Sequence, residues 1–230
     1  MRKNREFNPG ATYHVTSRTN NKNRVFANYL GQKIMLLTLQ AAKEKYRFKL
    51  HNFCIMPTHI HLLITPADGT NLSRIMQWIK TQSAKHWNRI HGSTDHFWGS
   101  RFFVRQTREL REYLAVHYYI DQNAVKAGLA PSAPEWKPSG AYHIAQNINS
   151  LVDFTFLGRQ AYVKMLPPPK KVIDTFLDYP HPDYPLHAGY LFQGFLRNFL
   201  LRINDIEGII IPVMVNEIHD IYLLFRQNGG

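Results

Sequence analysis

Two runs rich in β-forming residues, 46–55 and 60–65, stand directly next to each other, separated only by Met56-Pro57-Thr58-His59. Proline cannot donate to a sheet ladder, so the Met56-Pro57 pair interrupts the first run. The second run must then pair with it as a hairpin or a bent ribbon. A chain built around that step makes a sheet with antiparallel neighbours.

The flanking segments extend the sheet in both directions. Residues 11–17 (ATYHVTS) alternate after the Asn8-Pro9-Gly10 turn and read as a strand, followed by a polar loop over 18–24. Between Phe26 and Lys45 the positions Leu30, Ile34, Leu37 and Ala41 recur at helical spacing and predict an amphipathic helix. A turn at 67–71 leads into a second predicted helix from Leu72 to about Ile90, with Ile75, Trp78, Ile79 and Ala84 available for burial. Residues 96–106 (HFWGSRFFVRQ) read as a fourth strand. Thr107 is the expected N-cap of a third helix, with Glu109 and Glu112 in its first turns and a stop at Gly128.

The order strand, helix, strand, strand, helix, strand is that of the ferredoxin-like βαββαβ fold, an α+β class with helices on one face of an antiparallel sheet. The third helix is an addition to it. Residues 131–140, rich in Pro and Ser, are expected to run as a surface loop. The expected organisation is a first domain over 1–147 and a mainly helical extension over 148–230, whose periodicity around 190–201 is preceded by proline clusters.

Charge divides the chain in the same place. Residues 1–150 carry 21 Lys+Arg against 8 Asp+Glu, whereas 151–230 carry 7 against 8, so all the excess positive charge is in the first part. That is the balance of a polyanion-binding module with a near-neutral appendage, and it points to nucleic acid. The single cysteine, Cys54, leaves no intrachain disulfide to form. No apolar run approaches bilayer length, so the expectation is a soluble, cytoplasmic protein with no membrane partner.

The hairpin also carries chemistry. His59 and His61 are two residues apart in the third strand, so their imidazoles share a face and are placed to chelate one cation while Ile60 turns to the core. His14, His51, His86, His91, His96, His117 and His143 read as surface or core histidines. On the third helix Tyr119 and Asn123 are one turn apart and share a face. Taken alone they read as a core aromatic and a helix-end cap. Taken with the histidines, the Asn123 amide oxygen is a hard ligand that suits Mg²⁺ or Mn²⁺ and sets a phenol beside the cation.

Five segments, YHVTSR (13–18), MPTHIHLL (56–63), LSRIMQ (72–77), FWGSRF (97–102) and YIDQNAVKAGL (119–129), follow one another in this order. Together they resemble the single-tyrosine transposases of the HUH endonuclease superfamily, in particular the stand-alone REP-associated tyrosine transposases. The resemblance covers roughly residues 7–145 and does not reach 151–230. It implies that His59 and His61 are metal ligands, that Tyr119 is the nucleophile and that Asn123 occupies the third ligand position.

It also implies a 5′-phosphotyrosine intermediate with a free 3′-hydroxyl, and a DNA substrate with a single-stranded flank beside a hairpin. Ala124 stands where many relatives have Pro, and Thr19 where a Gly is common; neither change removes a catalytic group. Tyr118 is the rival nucleophile, but one residue turns a side chain about 100° around a helix, and the Asn123 spacing selects Tyr119 over it and over Tyr113.

Arg18, Lys22, Arg24, Arg74, Arg101, Arg105, Arg108 and Lys126 are the candidate phosphate contacts, with Trp98, Phe102 or Phe103 available to stack on unpaired bases. The sequence leaves monomer and homodimer both open. The alternative function is a non-catalytic binder of structured DNA or RNA on the same sheet.

Overall fold

A computed structural model describes residues 5–108 and 110–153. Its strands are β1 (Thr12–Arg18), β2 (Phe48–Met56), β3 (His59–Pro66) and β4 (Phe103–Thr107). Its helices are α1 (Tyr29–Lys45), α2 (Leu72–His91), α3 (Leu110–Lys126) and α4 (Gly140–Ala145), with 3-10 turns at Asn20–Lys22 and Ala133–Glu135. The sheet order is β2-β3-β1-β4, and every neighbouring pair is antiparallel. This is the ferredoxin-like arrangement, and β2 and β3 form the expected hairpin about Pro57 and Thr58.

Alternation along the strands gives the sheet two different faces. Val15, Leu50, Phe53, Ile55, Ile60, Leu62 and Ile64 pack with Met35 and Leu39 of α1 and Ile75 and Ile79 of α2. On the other face Cys54, Met56 and Leu63 pack with Val116, Ile120 and Ala124 of α3. Helices α1 and α2 therefore cover one side and α3 the other. In β2 the register shifts between Leu50 and Asn52. The extra residue lets Leu50 and Phe53 both face α1 and α2, although three positions separate them.

Local signals set the helix ends. The Asn71 side chain accepts hydrogen bonds from the backbone N–H of Ser73 and Arg74, a cap worth about 1 kcal/mol. Helix α2 stops at Gly92, whose φ of 60° is the left-handed value that closes a helix without a Cβ penalty.

Four expectations are corrected. The buried stripe of α1 is Gly31, Ile34, Met35, Thr38, Leu39 and Ala42, whereas Leu30 and Leu37 are exposed. A Cβ on Gly31 would overlap the Val25 carbonyl, so this close approach fixes the rotation of the helix. The fourth strand begins only at Phe103. Residues 97 and 98 instead fold inward, where Phe97 and Trp98 pack on Phe26 and the Trp98 indole N–H donates to the Ser83 hydroxyl and the Lys80 carbonyl.

Thr107 is the last residue of β4 rather than an N-cap, with its hydroxyl donating to the Thr12 carbonyl, and the Glu112 carboxylate takes the Arg108 N–H. The 131–140 loop holds a 3-10 turn and covers the outer edge of β2. There the Trp136 indole donates to the Ile55 carbonyl and the Ile55 N–H to the Pro138 carbonyl.

The chain stays tied to the sheet as far as Asp153. Leu151 and Val152 are buried in the main core, and Asp153 pairs with Lys43 at 2.6 Å. The helical extension expected beyond lies outside the described residues.

Candidate active site

Strand register brings the first set of side chains together. Thr16 is the cross-strand partner of His61, and Arg18 of His59. His14 lies between Leu63 on β3 and Arg105 on β4. Directly opposed residues of an antiparallel pair share a face, so these side chains stand on the side that α3 covers. The His59 and His61 rings are 4.9 Å apart, centroid to centroid. The Tyr119 ring comes down from α3 to 5.6 Å from His61 and 5.8 Å from His14, edge-on to both.

Hydrogen bonds orient the imidazoles. His61 Nδ1 lies 3.0 Å from His14 Nε2 and 3.3 Å from Thr16 Oγ1. His59 Nδ1 lies 3.0 Å from Thr58 Oγ1. His14 and His61 are buried and His59 sits half-exposed at the rim. Asn123 follows one turn beyond Tyr119, and its Nδ2 donates to the Tyr119 carbonyl at 2.9 Å. With its nitrogen engaged on the helix, the amide has Oδ1 left as a ligand atom.

The donor set fits a divalent cation that takes mixed nitrogen and oxygen ligands. Among the described residues no three His, Cys, Asp or Glu side chains gather as a metal site.

The rival tyrosines are placed differently. Tyr118 is pushed up to about 12, by burial first and by Asp121 second. Tyr113 is also pushed up by burial and Asp121, and its ring meets those of His51 and His117. The Tyr119 ring contacts those of both His14 and His61.

Helix α3 is held on the sheet by a buried polar cluster beside this site. Asn52, fully buried on β2, donates from Nδ2 to Asp121 Oδ1 at 2.7 Å and to the His117 carbonyl at 3.1 Å. His117 Nδ1 is 3.4 Å from the other Asp121 oxygen. Asp121 in turn raises the Cys54 thiol, after the larger effect of burial. His117 and Asp121 flank Tyr119 in sequence, so the contacts that dock the helix also set the height of the phenol over the sheet.

The basic residues are scattered around this centre. Arg18 stands opposite His59, and the Lys126 ammonium lies 5.4 Å from the Tyr119 ring centroid. Arg105 is paired with Glu112 at 3.1 Å. Lys22 and Arg24 are exposed in the loop after β1, and Arg101 and Arg108 are exposed at the two ends of β4. Arg74 is exposed on α2, on the opposite side of the sheet. Of the candidate stacking aromatics, Trp98 and Phe102 are core residues, and only Phe103 is exposed.

His14 and Thr16 are the site residues that the reading of the chain missed. Their signal was present in the alternation of YHVTS, which puts positions 14 and 16 on one face. Only the β1–β3 register shows that it is the face of His61.

Comparison with known proteins gives the family and the fold. A family model described as "Transposase IS200 like" matches residues 9–123. A curated chain of Haemophilus influenzae, assigned as a REP-associated tyrosine transposase, is 26% identical over 153 residues, which is 60% of this chain and 84% of that one. A solved structure of a REP-associated tyrosine transposase bound to a REP hairpin superposes with a TM-score of 0.55. It is 19% identical and covers 69% of this chain and 92% of the other, and so shares the fold.

Proposed function

The chain belongs to the IS200-like transposase family, whose members are tyrosine transposases that cut and rejoin DNA, and on that premise we propose how its own residues carry out the reaction. Tyr119 is the nucleophile, and His59, His61 and Asn123 hold one divalent cation, Mg²⁺ or Mn²⁺. The substrate is single-stranded DNA flanking a hairpin; the related solved structure is bound to a REP hairpin. The observation that carries this reading is the meeting of the Tyr119, His59 and His61 rings in one cluster between α3 and β3.

The reaction exchanges one ester for another. Tyr119 Oη attacks the scissile phosphorus, the bond from phosphorus to the 3′-oxygen breaks, and the phenolic proton is lost as the departing 3′-oxygen gains one. The products are a 5′-phosphotyrosine and a free 3′-hydroxyl, and attack by a 3′-hydroxyl on the phosphotyrosine reverses the step to join strands. A divalent cation, when bound, polarises the scissile phosphate and offsets the charge that builds on it. Docking of α3 by Asn52 and Asp121 holds the phenol over the histidines, which removes much of the orientational cost of attack. Arg18 at the rim and Lys126 beside Tyr119 hold the phosphates either side of the cut.

A 3′-labelled hairpin oligonucleotide with a single-stranded flank, incubated with the protein and Mn²⁺ and run on a denaturing gel, tests the assignment. A covalent protein–DNA band is expected from the native protein and none from Tyr119→Phe or His61→Ala. A band that persists in Tyr119→Phe would sink it.

A further inference from the structure

We propose that His14, assisted by Thr16, is a positioning residue for His61: it accepts the His61 Nδ1 proton and so keeps the lone pair on Nε2, where a divalent cation takes it. The inference rests on the reading of His59 and His61 as ligands. A neutral imidazole carries one proton on two nitrogens, and only the nitrogen without it ligates a metal. A ligand histidine therefore needs a partner that takes the proton on its far nitrogen.

His61 Nδ1 faces two such partners, His14 Nε2 at 3.0 Å and Thr16 Oγ1 at 3.3 Å. By itself the His14–His61 contact allows either ring to donate. The neighbouring ligand breaks that symmetry. His59 also turns Nδ1 to a protein partner, the Thr58 hydroxyl at 3.0 Å, so Nε2 is the nitrogen both rings have in common for a shared cation. In that arrangement His61 donates, and His14 presents an unprotonated Nε2.

The fold holds His14 in place for this. Its ring is buried and lies edge to edge with His61 and nearly coplanar with it, the centroids 5.3 Å apart and 19° between the planes. Its edge contact with Tyr119 at 5.8 Å means that the same side chain touches a ligand and the nucleophile. Arg105 and Leu63, its cross-strand partners, fix it from both sides.

The test is Mn²⁺ binding to the full chain, followed by electron paramagnetic resonance of the free ion, in variants that separate packing from proton acceptance. His14→Phe/Thr16→Val keeps the ring volume and removes both acceptors, and it is expected to weaken Mn²⁺ binding about 10- to 100-fold. His14→Gln retains an acceptor and is expected to bind close to wild type. Wild-type binding in the double variant, or a His14→Gln as weak as the double variant, overturns the role of His14. His61→Ala is the control for the ligand reading: unchanged binding there overturns that reading itself. Where the double variant does not fold, nitrogen-15 spectra of the Mg²⁺-loaded native protein decide the matter. His61 is expected with its proton on Nδ1 and His14 with a bare Nε2, and the opposite tautomers overturn the proposal.

Discussion

Three tyrosines lie within one stretch of α3, and their surroundings differ. Burial raises Tyr118 to about 12 and raises Tyr113 as well, so neither gives up its proton readily at neutral pH. Tyr118→Phe is accordingly expected to leave adduct formation near the native level, whereas Tyr119→Phe abolishes it; equal losses in the two would assign the reaction to neither alone. His51 offers a second test at this scale. Burial, with His117 as the next cause, lowers it from 6.5 to about 4, against an opposing pull from Asp153.

The unfolded chain therefore binds a proton at His51 below about pH 6.5 while the folded chain does not until about 4. Stability present above pH 6.5 is lost as the pH falls through that window, by about 3 kcal/mol over the full shift. Urea denaturation of His51→Gln between pH 7 and 4 should show a flatter pH dependence than the native protein. His59 with His61, and Tyr119 with Asn123, could be read from the chain as pairs that share a face, because that much follows from local spacing. His14 could not, because its partner is 47 residues away.

At the level of the elements, the order and type of strands and helices were legible and their phases were not. In α1, Ile34, Met35, Leu36, Leu37 and Leu39 supply more apolar positions than one face can bury, so a 3.6-residue period fits two stripes. The contact of Gly31 with the Val25 backbone chooses between them, and no periodicity encodes that. The aromatic run at 97–102 looked like a strand because aromatics favour strands, yet Phe97 and Trp98 are worth more as a plug over Phe26.

Helix α3 depends on Asn52, and Asn52→Leu would leave the Asp121 carboxylate buried with a lost partner. A destabilisation of about 2–4 kcal/mol is expected by chemical denaturation, with adduct formation falling further than DNA binding. Gly140→Ala should act through the same residue, since a Cβ there would overlap Asn52 Oδ1. Retained adduct formation in both variants would mean that the cluster does not set the height of Tyr119.

Across the whole molecule the sheet acts as a partition, with α1 and α2 on one side and the histidines and Tyr119 under α3 on the other. Charge read along the chain could not tell which cations stand on which side. Arg18 and Lys126 border the rings, and Arg74 does not. Salt titration of binding to a single-stranded oligonucleotide should separate them: Arg18→Gln and Lys126→Gln each lower the slope of log affinity against log salt by about 0.7, and Arg74→Gln leaves it unchanged. No helix among the described residues is long and apolar enough to cross a membrane.

The register shift in β2 has a consequence for how this strand can be altered. From the extra residue near His51 to the Pro57-Thr58 turn, each position is assigned to a side of the sheet by counting alone. Phe53 and Ile55 belong to the α1–α2 core and Cys54 and Met56 to the α3 interface. Removing one residue there would exchange the two sets, leaving Phe53 and Ile55 beneath α3 with no room for Asn52 to reach Asp121. Side chains in this strand can be swapped one for another of similar size, but the number of residues between Leu50 and His59 behaves as a parity bit. Changing it by one inverts the message, and the hinge of that inversion lies in the strand whose Asn52 holds Asp121, two residues along α3 from the tyrosine it would misplace.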